Sequence, residues 1–118
     1  MADTYVDRGY VSIWDFDKDD FIADGTWRTK DFSSLVPSDA KRVDLLVIIR
    51  ADQSNVAIEF SEFALPGFNV SYVRTQTANV YNQDDMTIKF PSDSKILAYY
   101  IHNKPVAALY VIVKGWWI

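Results

Sequence analysis

The distribution of β-branched and aromatic residues restricts the fold of this chain more than any other feature. Val, Ile, Tyr, Phe and Trp occur in short runs that are separated by Asp, Ser, Asn, Gly and Pro. Such runs are typical of strands, and the residues between them are typical of turns. No segment shows a convincing helical periodicity of apolar residues. The sequence therefore predicts an all-β protein built as an antiparallel β-sandwich.

The predicted strands are segments rich in β-formers and bounded by turn residues. They are Tyr10–Phe16, Thr26–Asp31, Arg42–Ala51, Val56–Phe63, Asn69–Thr75, Met86–Phe90, Lys95–Ile101 and Ala107–Trp117. No linker, internal repeat or low-complexity tract separates them. We therefore expect one β-sandwich domain over residues 10–118, preceded by an N-terminal arm over residues 1–9.

Three of these segments are apolar on both faces rather than on one. They are Leu45–Ile49, Ile96–Ile101 and Ala107–Val113. In a two-sheet sandwich only one face of each sheet is internal, so a strand that is apolar on both faces needs a further covering layer. A second copy of the chain is the simplest such layer, and we expect a homo-oligomer.

Two adjacent tryptophans in the last predicted strand lead to the same expectation. Neighbouring side chains of a strand point to opposite faces, so Trp116 and Trp117 cannot both enter one core. We expect the outward tryptophan to lie in an interface with the outward residues of the other two-sided strands. The predicted interface residues are Leu46, Ile48, Leu97, Tyr99, Trp116 and Trp117.

Charge and hydropathy limit the partners of the chain. A formal net charge of −4 and a pI near 4.7 would repel a phosphate backbone, and no run of Lys and Arg offsets this charge locally. We therefore expect no nucleic-acid partner. The longest apolar stretch, Val106–Val113, is too short to span a bilayer, so we expect no membrane insertion. Because the chain has no cysteine, disulfides and thiolate metal sites are excluded.

The densest charged segment contains alternating carboxylates. Asp15, Asp17 and Asp19 are spaced as in the first half of an EF-hand calcium loop. However, Asp20 stands where that loop requires glycine, and Thr26 stands where it requires a bidentate glutamate. We interpret the segment as a solvated acidic turn, with a calcium site at the three alternating carboxylates as the alternative. No other metal or cofactor is expected.

The residue types that carry out hydrolysis do not form a catalytic pattern in the sequence. His102 is the only histidine of the chain. Glu59 and Glu62 lie three residues apart on one predicted strand, so they point to opposite faces and cannot act as a carboxylate pair by themselves. Neither a G-x-S-x-G motif nor a glycine-rich phosphate loop occurs. We therefore expect a protein that is not an enzyme.

Aromatic residues are more numerous than one small core can readily absorb, so some should be exposed or interfacial. An exposed aromatic ring beside Asp, Asn or Arg is a common way for a protein to hold a sugar. The candidates for such a glycan site are Tyr72, Arg74, Asn79, Tyr81 and Asp84. Packing in the core or in an interface is the favoured interpretation of the aromatic residues, and recognition of host cell-surface glycan is the alternative.

Four sequence segments resemble a known family. They are W-D-F at Trp14–Phe16, G-T-W-R-T-K-D-F-S-S-L-V-P-S-D-A-K at Gly25–Lys41, V-R-T-Q-T-A-N-V at Val73–Val80 and V-I-V-K-G-W-W-I at Val111–Ile118. With them the chain resembles small jelly-roll virion proteins of tailed bacteriophages, such as fibre terminal domains and capsid decoration proteins. The resemblance implies a jelly roll of about eight strands. It also implies a structural role in the virion, in contact with other virion proteins.

Overall fold

The computed structural model describes residues 3–63, 70–91 and 93–118. Within these ranges the chain forms nine β-strands and one short 3-10 helix, which covers Lys18–Asp20. The strands are β1 (Tyr5–Asp7), β2 (Phe16–Asp17), β3 (Arg28–Asp31), β4 (Arg42–Arg50), β5 (Ala57–Glu62), β6 (Ser71–Arg74), β7 (Asn82–Lys89), β8 (Ile96–Ile101) and β9 (Ala108–Trp117). In the described ranges no helix has the length and apolar character that a membrane span requires.

The strands form two antiparallel sheets. The five-stranded sheet has the order β1-β9-β4-β7, and β2 pairs with β9 beside β1. The four-stranded sheet has the order β3-β8-β5-β6. Strand β2 pairs with β9, β3 with β8, β4 with β7 and β5 with β6. One long antiparallel ribbon rolled into a sandwich produces this nested pairing, which defines a jelly roll. The predicted antiparallel β-sandwich is confirmed.

The core lies between the inner faces of the two sheets. Strand β4 alternates between fully buried and partly exposed residues along its whole length, as the two-residue period of a strand requires. Its inward side chains include Leu45 and Ile49, and they face Ile58 and Phe60 of the other sheet in one continuous cluster. Edge-to-face contacts between aromatic rings, such as Phe21 with Phe60, help to fix this packing.

The first predicted strand is wrong over most of its length. Of Tyr10–Phe16, only Phe16 belongs to a strand. At the other end of the five-stranded sheet, β7 begins at Asn82 rather than at the predicted Met86, because a polar stretch continues the pairing with β4 at an exposed edge. Asn69, the predicted first residue of the strand that contains β6, lies outside the described residues.

The segment predicted as an N-terminal arm over residues 1–9 contributes a strand to the sheet. Tyr5–Asp7 pairs with Gly115–Trp117 of β9. Thr4 and Ile118 then exchange two backbone hydrogen bonds of 2.9 Å each. At Gly115 a Cβ atom would lie only 2.5 Å from the Val6 carbonyl oxygen, so glycine permits the close approach of β1.

Candidate functional site

The strand that borders β9 is interrupted between β1 and β2, and a pair of charged side chains closes the gap. The Arg8 amide donates to the Lys114 carbonyl and the Asp15 amide donates to the Val111 carbonyl, so backbone pairing stops at one residue and resumes at the other. Between these points, the Arg8 guanidinium donates to the Val113 carbonyl at 3.0 Å. The Asp15 carboxylate accepts from the Val113 amide at 2.8 Å.

The same two side chains also bind each other. Arg8 donates to both carboxylate oxygens of Asp15, at 2.5 and 2.9 Å. The hydrogen bond to Asp15 raises the pKa of Arg8 above its ordinary value, so the guanidinium stays charged. The Asp15 side chain is only 7% exposed. We call this pair the Arg8–Asp15 clasp, because it replaces the missing backbone ladder at the base of the segment between the two strands.

The segment above the clasp, Gly9–Trp14, carries large apolar side chains into solvent, and we call it the aromatic loop. Tyr10 is 93% exposed, Ile13 is 63% exposed and Trp14 is 42% exposed. Gly9 has a φ of 85°, a left-handed conformation that favours glycine where the chain leaves β1. The loop returns to the sheet at Trp14, whose ring lies 4.2 Å from the ring of Tyr110 between centroids.

Below the aromatic loop, the outer face of the five-stranded sheet is apolar at its centre. Leu46 is the cross-strand partner of Ile112, and Ile48 is the cross-strand partner of Tyr110. All four are partly exposed, whereas the outward face of an antiparallel sheet is usually polar. We call these four residues the apolar face. Val11 of the aromatic loop lines a depression of about 430 Å³ together with Leu46 and Ile112, so the loop and the face form one surface.

The predicted interface residues divide between the surface and the core. Leu46 and Ile48 lie on the apolar face. The assignment of Leu97 and Tyr99 to an interface is wrong, because both side chains point inward and belong to the core. The outward residue between Tyr99 and Ile101 is Tyr100, which pairs with Glu59 of β5.

Both tryptophans are largely covered by residues of the same chain. Trp116 packs against the core from the inward side of β9. Trp117 points outward, and its ring lies 4.8 Å from the ring of Tyr5 and 5.3 Å from the guanidinium of Arg42. Strand β1 and the beginning of β4 therefore cover most of the outward tryptophan, a role that the sequence assigned to a second copy.

Two of the three carboxylates of the calcium alternative bind other groups of the chain. Asp15 belongs to the clasp. Asp17 caps the 3-10 helix by accepting from the Asp19 amide at 2.9 Å, and Asp20 accepts from the Asp17 amide at the same distance. In residues 3–63, 70–91 and 93–118 no group of three or more potential metal ligands comes together. The structure therefore does not assemble a calcium site from Asp15, Asp17 and Asp19.

Three of the five predicted glycan residues lie in one cleft. Tyr72, Arg74 and Asp84 line a cleft of about 480 Å³ between the edge strands β6 and β7. Asn79 and Tyr81 are not among its lining residues. Asn79 is in the turn before β7, with a φ of 62° and its amide bonded to the Ala51 carbonyl. The ring of Tyr81 lies 5.2 Å from the guanidinium of Arg50, on the five-stranded sheet.

The residues that complete the exposed surface are not among the predicted site residues. The sequence predicts a strand at Tyr10, Ile13 and Trp14, and it marks Tyr110 and Ile112 only as part of a strand that is apolar on both faces. Their signal was the apolar run itself. The sequence does not show that the Arg8–Asp15 clasp interrupts the edge strand, so that Tyr10, Ile13 and Trp14 lie outside the sheet.

Comparisons with known proteins do not identify a ligand or partner for this surface. No family model matches the chain, and no curated protein is significantly similar to it. Among solved structures, that of the Tobacco streak virus coat protein aligns with 98% of this chain and 83% of that chain, at 16% identity and a TM-score of 0.41. A similarity of this degree carries no inference about what this chain binds.

Proposed function

We propose that this chain is a non-enzymatic structural protein of a virus particle that associates with copies of itself through the apolar face and the aromatic loop. The observation that carries the proposal is the continuity of these two features on one side of the five-stranded sheet. Leu46, Ile48, Tyr110 and Ile112 are stacked as cross-strand partners, and Trp14 packs on this group. Large apolar side chains that stay accessible on a sheet face are typical of an interaction surface.

The charges beside the apolar face suit contact with a second copy. Lys114 and Asp85 form an ion pair of 3.2 Å on the same outer face, and Asp44 accepts from the Tyr5 hydroxyl near them. Interfaces commonly surround an apolar centre with polar groups of both signs. A two-fold related copy would bring the same patch against itself, so that each cation could face an anion of the partner.

The virion setting of the proposal rests on the fold together with the sequence resemblance. Jelly rolls occur in viral capsid domains, but they also occur in lectins and cupins, so the fold alone does not fix the role. The resemblance to tailed-phage proteins favours a capsid decoration or fibre component that docks on a larger virion surface. Localisation to the virion and contact with other virion proteins are parts of this proposal.

The proposal is tested by the mass of the protein in solution. Sedimentation velocity at micromolar concentration should give a multiple of the mass of one chain. The variant Ile13→Ser should lower the mass towards that of one chain, because it removes an exposed apolar side chain of the aromatic loop. Ile22→Ser is the matched control, since Ile22 is also exposed but lies outside the aromatic loop. A single-chain mass for the unchanged protein would contradict self-association.

Recognition of glycan is a second candidate, and the cleft between β6 and β7 favours it. Tyr72 offers an aromatic ring, while Arg74, Gln83 and Asp84 offer hydrogen-bonding groups around the same cleft. This combination suits a sugar, which stacks its apolar side on a ring and binds through its hydroxyls.

A glycan array separates this candidate from self-association alone. Binding that is lost in Tyr72→Ala and kept in Tyr81→Ala would support the cleft, because the two tyrosines are similarly exposed and only Tyr72 lines it. Equal loss in both variants, or no binding by the unchanged protein, would contradict it.

A further inference from the structure

A second cavity lies at the end of the sandwich where β4 begins and β7 ends. Its volume is about 640 Å³, which falls in the range of small-molecule sites. Ala40, Phe90 and Pro91 line the cavity, and Ala40 and Phe90 are almost fully buried. Pro91, which is partly exposed, and the methylene groups of the lining lysines therefore provide the accessible apolar surface.

The same cavity is lined by basic side chains from separate segments of the sequence. Lys41, Arg42, Lys89 and Lys95 all line it, although the sequence shows no run of basic residues there. Arg42 and Lys89 are direct cross-strand partners. Like charges in this arrangement destabilise a sheet unless an anion lies between or beside them.

The carboxylates of the cavity compensate only part of this charge. Asp3 accepts from Lys41 at 3.2 Å and from Arg42 at 2.6 Å. Asp39 is the other carboxylate in the lining, and it forms no ion pair with a cation of the described chain. Lys89 and Lys95 likewise have no carboxylate within 4.0 Å among the residues that the structure describes. Two cations of the lining are therefore left without an anionic partner.

The environment of Lys95 makes this lack of a partner unusual. Lys95 is only 8% exposed. Its ammonium donates to the Ser94 carbonyl at 3.3 Å and lies 5.6 Å from the centre of the Phe90 ring. A lysine this buried is ordinarily paired with an anion. The Arg42 guanidinium also lines the cavity, but its Nη2 atom is already bound to Asp3, so the two lysines are the cations without a carboxylate among the described residues.

We propose that this cavity binds an organic anion, in which one carboxylate or phosphate group is attached to an apolar body. The oxygens of the anionic group accept from Lys95 Nζ and Lys89 Nζ, and the apolar body rests on Pro91 and on the methylene groups of the lining lysines. Charge-assisted hydrogen bonds of this kind are about twice as strong as neutral ones. The inference is independent of self-association, because the cavity shares no lining residue with the apolar face.

Calorimetric titration of the whole chain with simple probes tests the proposal. The probes are phenyl phosphate, benzoate and inorganic phosphate, each at matched ionic strength, with sodium chloride as the reference. Saturable binding of phenyl phosphate or benzoate is expected, and the tighter of the two identifies the anionic group. Inorganic phosphate should bind more weakly than phenyl phosphate, because it makes no contact with the apolar lining.

Variants locate the binding in the cavity. Lys95→Met should weaken binding by roughly tenfold or more, since a charge-assisted hydrogen bond is lost. Its melting temperature without probe should stay the same or rise, because a buried cation without an anionic partner is removed. Lys89→Gln should also weaken binding, and it changes an exposed residue, so it keeps the test open if Lys95→Met does not fold.

Lys114→Met is the matched control, because Lys114 is a partly exposed lysine outside the cavity. It should bind the probes as the unchanged protein does. The proposal is overturned if neither phenyl phosphate nor benzoate binds at millimolar concentration, or if sodium chloride reproduces the effect. Undiminished binding by Lys95→Met and Lys89→Gln would overturn it equally.

Discussion

The two outer faces of the sandwich differ in the size and chemistry of their side chains. On the four-stranded sheet the outward residues include Ala57, Ser61 and Ala98, which are small and already buried within the chain. On the five-stranded sheet the apolar face presents Leu46 and Ile48 with their cross-strand partners, and these remain partly exposed. At these positions the chain itself covers the outer face of the four-stranded sheet, whereas the apolar face of the other sheet stays partly exposed.

This difference shows that a strand with apolar residues on both faces does not always need a partner to cover its outer face. In Ile96–Ile101 the outward position between Leu97 and Tyr99 is an alanine, and the chain covers it without help. In Leu45–Ile49 the outward residues Leu46 and Ile48 are large and stay accessible. The outward residues Ile96 and Tyr100 of β8 are also large and partly exposed, so side-chain size at each outward position, and not the strand as a whole, separates covered from accessible sites.

The largest expected effect comes from neighbouring residues on opposite sides of β4. Leu45→Ala should lower the free energy of unfolding by about 2 to 5 kcal/mol, because a fully buried side chain leaves a cavity in the core. Leu46→Ala, the matched control, should cost less than about 1 kcal/mol in the dissociated chain. Urea unfolding at low protein concentration measures both. Equal losses would contradict the division of β4 into an inner and an outer face.

The next effect concerns the edge of the five-stranded sheet alone. Gly115→Ala should destabilise the protein by about 1 to 3 kcal/mol, because a Cβ atom there would overlap with Tyr5 and Val6. Hydrogen exchange should speed up more at the amides of β1 than in the four-stranded sheet. The neighbouring change Lys114→Ala should leave β1 protected. Unaltered exchange in β1 would argue against the close packing of β1 on β9.

An effect of similar size is expected at the clasp that holds the aromatic loop. Asp15→Asn should cost about 1 to 3 kcal/mol, because the charge-assisted bond to Arg8 is lost from a largely buried site. It should also weaken self-association, since the loop is no longer fixed above the apolar face. Asp24→Asn is the control, because it breaks an exposed ion pair with Arg28 beside the other sheet and should change stability and self-association little. Unfolding and sedimentation measurements on both variants test the difference.

The smallest effect is the response of the two sheets to acid. The hydrogen bond from Lys41 lowers the pKa of Asp3 beside the five-stranded sheet, and the hydrogen bond from Arg28 lowers the pKa of Asp24 beside the four-stranded sheet. Each carboxylate stabilises the fold fully above its ordinary pKa of 3.8 and loses that contribution as the pH falls through the lowered value.

Carboxylates titrate at roughly pH 2 to 6, so the melting temperature measured across this pH range reports the response. Asp3→Asn and Asp24→Asn should each flatten the decline at low pH by a small amount, because both ion pairs are exposed to solvent. A decline that is the same in both variants as in the unchanged protein would show that these carboxylates do not carry it.

Much of the fold could be predicted from the sequence, because alternation and turn residues are local signals. The strands from Arg28–Asp31 onward correspond to predicted segments. Strand β1 could not be predicted, since it is short and is stabilised by distant residues of β9. Leu97 and Tyr99 were placed on the wrong face, because a shift of one residue in a strand exchanges its two faces and an apolar strand gives no sign of which is correct.

The candidate site could be predicted only in part. Leu46 and Ile48 were identified because their strand is apolar on both sides. The aromatic loop was not, because its residues have the composition of a strand, and the Arg8–Asp15 clasp depends on a tertiary contact with Val113. The basic cavity could not be predicted from the sequence either, since its lining residues come from separate segments of the chain.

We propose that copies of this chain meet through the five-stranded sheet and not through the four-stranded one. Because the chain has no cysteine, single cysteines can report on each face. Ile48→Cys and Glu59→Cys would be alkylated at protein concentrations below and above assembly. Assembly should slow labelling at position 48 and leave labelling at position 59 unchanged. Protection at position 59, or no protection at position 48 in an assembled sample, would contradict it.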